Sequence, residues 1–471
     1  MEKEEFNLEI LEKIIQEKNV NALRELFESI ALIDIAEVAD RIDDPKELLF
    51  IFKTVKSETT AEFFSYLTPE VQEKLVRVFT DKDLMTLIAS SYTDDIADFL
   101  MDMPANLVER ILNITDKQTR EVVNRLLNYK ENTAGSIMTT EYVTLKNSAT
   151  VEEALAAIRK IGREAETVYT NFVIDEKRNL VGTVALDDLI FSEPKQLLTD
   201  IMVTDFITVE VNTDQEEVAQ DFKRYNLDAM PVLNADHRLV GIVTVDDIID
   251  VIEQEVSEDM AKMAAVSPLE DSYIKSSVWA LAKKCIPWLI ILLVLGVGAS
   301  IVLNIFEHSL STLPILAAFL PILMDGGGNS GNQTTVLVTR SLALKEITPK
   351  DFLKVIWKEL RVSLIVSAFV GLFAFGWVLF EFGTGILGYD ELIGLSGWSW
   401  FAQAGLVASL VAITLAGAII LSKTIGAVLP LGAKAAGLDP AVVASPLLTT
   451  IVDVCALLLY FFLSAQVFNL I

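Results

Sequence analysis

The sequence predicts a polytopic α-helical membrane protein with five transmembrane helices, preceded by an all-α superhelical domain and a pair of α/β domains. Three observations lead to this fold class. Apolar residues recur at helical spacing in residues 1–133, and residues 134–255 contain an internal repeat. Residues 285–471 contain apolar stretches long enough to cross a bilayer.

The first region, 1–133, is predicted to be a stack of short helices. Its apolar residues recur three and four positions apart, as at Leu23, Leu26, Phe27 and Ile30. Short breaks with helix-starting residues interrupt the pattern at 44–45, 68–70, 93–95 and 103–104. The many acids of this region either form solvated helix faces or belong to a domain that binds cations.

Charge is divided unevenly along the chain. The 471 residues carry a net charge of −28, yet residues 272–471 hold 10 acids and 11 bases, so the first 271 residues hold 56 acids and 27 bases. An acidic soluble half argues against nucleic-acid binding, which needs the opposite sign. Cys285 and Cys455 are the only cysteines, so no disulfide framework is expected. The first ten residues, MEKEEFNLEI, do not resemble a signal peptide.

The second and third regions, 134–198 and 199–255, repeat one pattern of strand, helix, strand, strand and helix. Met138 matches Met202 at an offset of 64, and Gly182 matches Gly241 at an offset of 59. On these residues the two copies resemble a tandem pair of CBS domains, which are regulatory modules that often hold an adenine nucleotide.

The CBS resemblance implies a cleft that can hold an adenine nucleotide. The aromatic and basic residues that usually surround the cleft are not evident. Asp187 and Leu227 stand where such residues are expected.

The connecting region, 256–284, is predicted to contain an acidic helix that ends near Ser267-Pro268. The segment SYIKSSVWALAKKCIPW follows, with Trp279 and Trp288 at interfacial positions and lysines nearby. It is expected to lie at the membrane surface, and the alternative is a long linker.

The predicted membrane spans have few charges. They are 286–306, 310–339, 362–380, about 400–422 and 441–471.

Basic residues set the predicted orientation. The connection between spans two and three holds six Lys or Arg residues, and the connection between spans four and five holds Lys423 and Lys434. The other two connections hold none, and no basic residue is expected inside a span. The N-terminal domains are therefore predicted to be cytoplasmic and the C-terminus to lie outside a plasma membrane that the chain crosses several times.

The stretch 321–340 is unusual for a span, because it combines three consecutive glycines with Asn, Gln and Thr, and Asp325 is its only acid. Lipid cannot form hydrogen bonds with these groups, so they must face protein or water. Asn329 and Gln333 are four residues apart and share a helix face. The stretch is interpreted as a polar pore wall, with a glycine-rich packing seam as the alternative.

Asp453 is the second anomaly, a carboxylate inside the fifth span that shares a helix face with Thr450. Intramembrane acids commonly mark an ion path, although a protonated Asp bonded to a neighbouring helix is the alternative. Oxygen ligands suit magnesium, calcium and manganese rather than zinc. A polar ring suits a hydrated magnesium ion, and these residues alone only favour magnesium over calcium.

Three segments carry a resemblance that covers essentially the whole chain. They are PILMDGGGNSGNQ at 321–333, SEDMAKMAAVSPLEDSY at 257–273, and the stretch from Asp439-Pro440 through TTIVDV, which holds Asp453. On these residues the chain resembles the MgtE family of magnesium channels. The resemblance implies a homodimer whose pore lies between the second and fifth spans of both subunits. It also implies that Asp453 is the selectivity carboxylate, with Asn329, Gln333 and Thr450 as neighbours.

The resemblance further implies regulation by cytosolic Mg2+, which would bridge acids of the helical domain, the CBS pair and the connecting or plug helix. The matching positions are Glu62, Asp94, Asp98, Asp214, Glu216, Asp247, Asp250, Glu255, Glu258 and Asp259. Asp439 is expected to join a bridge to the plug helix. Asn226 departs from the pattern, since family members can carry an acid there.

The expected function is thus a magnesium channel that cytosolic Mg2+ closes, with Mg2+ both transported and regulatory. The alternative is a secondary transporter coupled to protons or sodium, although five spans do not divide into paired repeats. An intramembrane enzyme is not expected, because two scattered histidines cannot supply a zinc motif.

Overall fold

A computed structural model describes residues 7–42, 44–268, 273, 276–386, 399–443 and 445–468. The chain divides into two compact units between Ile252 and Glu253.

The first unit begins with the predicted stack of short helices. Proline and capping residues start several of them; Asp44, for example, accepts a hydrogen bond from the backbone of Lys46 ahead of Pro45. Phenylalanine rings pack in the core, where Phe52 lies edge-to-face with Phe64 and tilted against Phe63. The helices are α1 Leu8–Gln16, α2 Val20–Ser29, α3 Leu32–Ala39, α4 Pro45–Thr54, α5 Ser57–Ser65, α6 Pro69–Val78, α7 Asp81–Ile88, α8 Thr93–Met101, α9 Ala105–Ile114 and α10 Lys117–Leu126.

Two α/β modules follow, and each has the predicted element order. In each module the first strand pairs parallel to the second, and the second pairs antiparallel to the third. The first module contains β1 Tyr142–Lys146, α11 Val151–Ile161, β2 Thr167–Ile174, β3 Leu180–Ala185 and α12 Leu186–Phe191. The second contains β4 Val209–Glu210, α13 Gln215–Tyr225, β5 Ala229–Leu233, β6 Leu239–Thr244 and α14 Val245–Met263.

The repeated Met and Gly residues pair across the two modules. Met138 precedes the first module but packs on Gly241 of the second, where an added Cβ would lie 2.5 Å from its sulfur. Met202 precedes the second module and packs on Gly182 of the first, at 2.7 Å by the same measure. Each module therefore needs glycine on its last strand to receive the methionine that leads into the other.

The second unit contains the apolar helices. Among the described residues, α15, α19, α20 and α21 are long and apolar enough to cross a membrane. The remaining long helix, α18, is more polar and packs against α20 and α21. These helices fit a polytopic membrane protein. Their bounds, with two short helices, are α15 Val278–Ile305, α16 Glu307–Thr312, α17 Ile315–Ala318, α18 Leu320–Ala343, α19 Phe352–Thr384, α20 Trp400–Ala435 and α21 Ser445–Phe468.

Three details differ from the sequence-based expectations. The predicted second span begins as the short helices α16 and α17, and its long helix starts only at Leu320. Trp279 and Trp288 belong to α15 itself rather than to a separate surface segment. Lys423, predicted to lie in the connection between spans four and five, lies inside α20 instead and is only 4% exposed, because this helix continues well beyond its apolar stretch.

Close packing between α18 and α20 depends on glycine. A Cβ on Gly426 would lie 2.6 Å from the carbonyl oxygen of Gly331 and 3.0 Å from the hydroxyl of Thr335. That hydroxyl donates a 3.0 Å hydrogen bond to the carbonyl of Gly426. The two backbones can approach this closely only because neither glycine has a side chain.

We expect Gly426→Ala to lower the melting temperature of the detergent-solubilised protein, because overpacking of this kind costs about 1–3 kcal/mol. Gly432→Ala is the matched control on the same helix, since nothing lies within 4 Å of its added Cβ. The control should be neutral or slightly stabilising, by up to ~1 kcal/mol, because alanine favours helix. Equal melting temperatures for both variants would contradict the packing described here.

Candidate ion path and acidic clusters

Helix α18 presents two different faces. Gly327, Gly328 and Gly331 are buried against α20 and α21, so the packing-seam interpretation holds for this face. Asn329 and Gln333 are exposed on another face of the helix, and that this face is a polar pore wall stays a prediction. One helix therefore combines a dry seam with a face that requires water, protein or an ion.

Asp453 lies on α21, which packs against the glycine face of α18. An added Cβ on Gly328 would lie 2.9 Å from Thr449, one turn of α21 before Asp453. Within the part of the chain that the structure describes, Asp453 Oδ1 is buried and makes no hydrogen bond. Asp325 on α18 lies within electrostatic range of this carboxylate.

Two of the predicted neighbours of Asp453, Asn329 and Thr450, make hydrogen bonds of their own. Asn329 Nδ2 donates a 2.9 Å hydrogen bond to Asp325 Oδ1, so Asp325 belongs to the same polar face. The hydroxyl of Thr450 donates to the carbonyl of Pro446 at 2.9 Å. The Thr450 hydroxyl oxygen can therefore still accept a hydrogen bond, but its proton is already donated within α21.

A cluster of acids forms in the first unit where α8 and the start of α14 approach each other. Asp94 and Asp98 lie on α8, and Asp247 lies on α14. Among the described residues, Asp94 Oδ1 is buried without a hydrogen bond, whereas Asp247 accepts a 2.7 Å hydrogen bond from Thr244. Three predicted site residues are thus brought together by the fold.

Burial and like charge disfavour ionisation throughout this cluster. Burial, with Asp95 and Asp247 adding, raises the pKa of Asp98 to about 7. Burial likewise raises the pKa of Asp95 and of Asp247 to about 6, and it holds the pKa of Asp94 well above its usual range. Burial, then Asp247 and Asp246, raises the pKa of Glu166 to about 8.

Glu141 belongs to the same neighbourhood and is held in place by hydroxyl groups. Its Oε2 accepts hydrogen bonds from Thr93 at 2.8 Å and from Thr139 at 3.0 Å. Thr93 is the first residue of α8, so this carboxylate joins the helical domain to the first CBS-like module. Local spacing gave no signal for Glu141 or Glu166, because the fold brings them to α8 from distant positions.

The other predicted acids of the first unit lie in two places. Glu62 and Asp250 act electrostatically on Tyr66, whose pKa is raised first by burial and then by these acids. Asp214 instead caps α13 by accepting a 3.0 Å hydrogen bond from the backbone of Glu216. The side chain of Glu216 accepts from Gln220 at 3.1 Å.

A lysine joins the end of α14 to the connection between α20 and α21. Lys262 Nζ lies 2.5 Å from Glu258 Oε1 and 2.7 Å from Asp439 Oδ2. Burial lowers the pKa of Lys262, but hydrogen bonds to Asp439 and Glu258 outweigh burial, so the pKa is raised overall. Asp439 therefore lies close to α14, with an ammonium group between the two carboxylates, and a bridge through Mg2+ stays a prediction.

Asp259 lies beside this ion pair, on the same helix as Glu255 and Glu258. Burial, then Asp439, raises the pKa of Asp259, while Lys262 opposes the increase. Within the described residues, no three Asp, Glu, His or Cys side chains are already grouped to hold a metal ion. An ion at either cluster would therefore need water ligands or a rearrangement of side chains.

Three remaining positions concern the CBS-like modules. Asn226 has a φ of 51° and ends α13 in the left-handed conformation, which asparagine tolerates better than most residues. Asp187 is exposed in the first turn of α12, and Leu227 packs at the edge of the second module's core. Neither residue supplies an aromatic or basic group, and nucleotide binding stays a prediction.

Comparison with known families identifies three kinds of domain along the chain. The family described as MgtE, divalent cation transporter, matches residues 320–463. The MgtE intracellular N domain matches 30–132, and the CBS domain matches 134–194 and 198–254. The predicted resemblance is thus confirmed, and it is a resemblance to transporters rather than enzymes.

Individual relatives extend over nearly the whole chain. The magnesium transporter MgtE of Thermus thermophilus is 34% identical over 96% of this chain and 96% of its own. The magnesium transporter MgtE of Bacillus subtilis is 32% identical over 91% of this chain and 92% of its own. The crystal structure of the soluble part of a magnesium transporter covers 54% of this chain and 99% of its own, with 31% identity and a TM-score of 0.51.

The raised pKa of Glu166 predicts a pH-dependent stability. In the folded chain the Glu166 carboxyl group has a pKa of about 8, whereas in the unfolded chain its pKa is the ordinary 4.5. Between these pH values the folded state therefore keeps a proton that the unfolded state has released. This proton favours folding below about pH 4.5, and the contribution is lost as the pH rises towards 8. Glu166→Gln should therefore stabilise the metal-free protein at pH 8 by about 1–2 kcal/mol, after allowance for solvent screening, and much less at pH 5.

The measurement is thermal unfolding of the purified chain in chelator at both pH values. Glu164→Gln is the control, since Glu164 is exposed and only two residues away. A Glu166→Gln variant that melts like the wild type at pH 8 would mean that this carboxylate is solvated.

Proposed function

Because this chain belongs to the MgtE family, we propose that it carries Mg2+ across a membrane along a path lined by α18 and α21. The observation that carries this proposal is the exposed polar face of α18, because its Asp325 lies within electrostatic range of Asp453. Asp453 has a buried oxygen that lacks a hydrogen bond among the described residues. A carboxylate oxygen of this kind favours a cation, and the exposed amides supply further oxygen ligands.

The ligand set suits a hydrated ion. Asp453 supplies the charge, and Asn329, Gln333 and Thr450 supply neutral oxygens. Magnesium gives up its waters reluctantly, so these groups would accept hydrogen bonds from the water shell rather than replace it. Asp325 could also accept hydrogen bonds from the water shell, because it lies on the exposed face of α18 and accepts a hydrogen bond from Asn329.

A homodimer completes this path. Asn329 and Gln333 are exposed on one chain, and a membrane cannot leave amide groups facing lipid. A second copy that presents the same face would enclose a polar channel between the two α18 helices. The N-terminal domains would lie in the cytoplasm and the C-terminus outside, as the distribution of Lys and Arg predicts.

Cytosolic Mg2+ closes this channel in the proposed mechanism. Acids at both ends of α14 would respond, with Asp94, Asp98 and Asp247 at its start and Glu258 and Asp439 at its end. Burial, and after it the neighbouring acids, raises the pKa values of the first group. A divalent ion relieves the repulsion among these acids and so favours the arrangement in which they are close. It shifts the gate only as far as it binds the closed arrangement more tightly.

We expect Asp453→Asn to reduce Mg2+ flux into proteoliposomes by at least about 100-fold, because it removes the charge of the ion path while keeping its shape. Glu381→Gln is the control, since it also removes a carboxylate from a membrane helix but lies on α19. Normal flux through Asp453→Asn would exclude Asp453 from the path.

Recordings from the same wild-type protein in planar bilayers distinguish a channel from a coupled transporter. A channel gives Mg2+ current without any proton or sodium gradient. Flux that requires such a gradient would support the secondary transporter.

Lys262→Met should increase Mg2+ current at low cytosolic Mg2+, while high Mg2+ still closes the channel. The lysine is the cation that joins Glu258 to Asp439 in the absence of a divalent ion, and without it the two acids repel. Inside-out patches titrated with Mg2+ measure the effect, and Lys262→Arg, which keeps the charge, is the control. Identical currents at low Mg2+ for the wild type and Lys262→Met would show that the ion pair does not restrain the gate.

A further inference from the structure

Lys423 is a buried charge that the proposed ion path does not use. It lies inside α20 and is 4% exposed, and α20 is a helix of the apolar unit. A charged group is costly to bury unless it is paired and hydrogen-bonded. The partners of Lys423 therefore indicate why the residue is there.

The lysine is joined to a carboxylate through one hydroxyl group. Lys423 Nζ donates a 3.2 Å hydrogen bond to Thr334 Oγ1, and the Thr334 hydroxyl donates a 2.9 Å hydrogen bond to Glu359 Oε2. The hydroxyl thus accepts from the cation and donates to the anion, which is the polarity that strengthens both bonds. Thr334 is completely buried. This group of three residues, the Lys423–Thr334–Glu359 clamp, connects α20, α18 and α19.

The clamp holds the back of the helix that lines the proposed path. Thr334 follows Gln333 directly, yet Thr334 is buried and Gln333 is exposed. Adjacent residues on a helix point about 100° apart. A rotation of α18 by one residue would bring Gln333 to the clamp and turn both amides away from the path. Two other hydrogen bonds cross this seam, from Thr335 to the carbonyl of Gly426 and from Ser422 to the carbonyl of Gly327, and both join α18 to α20. The clamp adds a side-chain connection from α18 to α19.

We infer that Lys423, Thr334 and Glu359 are positioning residues for cation passage: their clamp sets the rotation of α18 and thereby directs Asn329 and Gln333 into the path. This inference rests on the proposed function for its effect on transport. Its geometric part, the orientation of Gln333, can be measured without transport. A clamp that only stabilises the bundle would change the melting temperature but not this orientation.

The test compares three substitutions on α18. Thr334→Val removes the hydroxyl and keeps the shape, while Thr334→Ser keeps the hydroxyl. Thr339→Val is the matched control, because Thr339 is also buried on α18 but its hydroxyl makes no hydrogen bond among the described residues.

The first readout is the rate at which a membrane-impermeant, positively charged thiol reagent modifies Gln333→Cys in proteoliposomes. The background carries Cys285→Ser and Cys455→Ser, so the introduced thiol is the only one. The second readout, without the Gln333→Cys substitution, is the apparent KM for Mg2+ flux. We expect Thr334→Val to change both by about tenfold, since small misplacements of positioned groups have effects of this size. Thr334→Ser and Thr339→Val should keep wild-type values.

Wild-type modification rates and KM in Thr334→Val would overturn the inference. If the wild type carries no Mg2+, the proposed function fails, whereas the modification rate still decides whether the clamp sets the orientation of α18. If Thr334→Val does not fold, the double variant Lys423→Met with Glu359→Gln removes both charges and keeps the hydroxyl. An unchanged modification rate in that double variant would equally overturn the inference.

Discussion

The interior of a membrane offers no hydrogen-bond partners, and this constraint determines how α18 must be placed. Its sequence combines glycines, amides and hydroxyls within a helix that packs against α20 and α21. The glycines allow the backbones to approach so closely that Ser422 donates to the carbonyl of Gly327 at 2.5 Å. Asn329 and Gln333, on the other face, are exposed among the described residues of one chain. Close packing on one face of α18 and the aqueous path proposed for its other face are therefore both consequences of one sequence.

The sequence predicted those parts of the fold that depend on local patterns. Helical spacing identified the N-terminal stack, and the internal repeat identified the two α/β modules with their correct element order. The repeat also marked residues whose contacts it did not reveal, because Met138 packs on Gly241 of the other module and Met202 on Gly182. Repetition shows that a position matters in both copies, but only the tertiary structure shows which copy receives the side chain.

Charges at the proposed sites were predicted less completely, because their partners are distant in sequence. Asp453 was noticeable as a single acid in an apolar span, and Asn329 and Gln333 as amides in another. Lys423, by contrast, follows an apolar stretch and was interpreted as the start of a loop, although α20 continues to Ala435. Its partner Glu359 lies 64 residues earlier, so no spacing rule connects them.

The two ends of α14 differ in the charge that an added cation would encounter. At its start, the charged groups that act on Asp247 are other acids, so an added divalent ion meets mutual repulsion and relieves it. At its end, Lys262 already offsets part of the charge of Glu258 and Asp439. A divalent ion there must compete with an ammonium group held by two short contacts. Sensitivity to small changes in Mg2+ is consequently expected at the start of the helix, while a response at the end of α14 requires enough Mg2+ to displace Lys262 from Glu258 and Asp439.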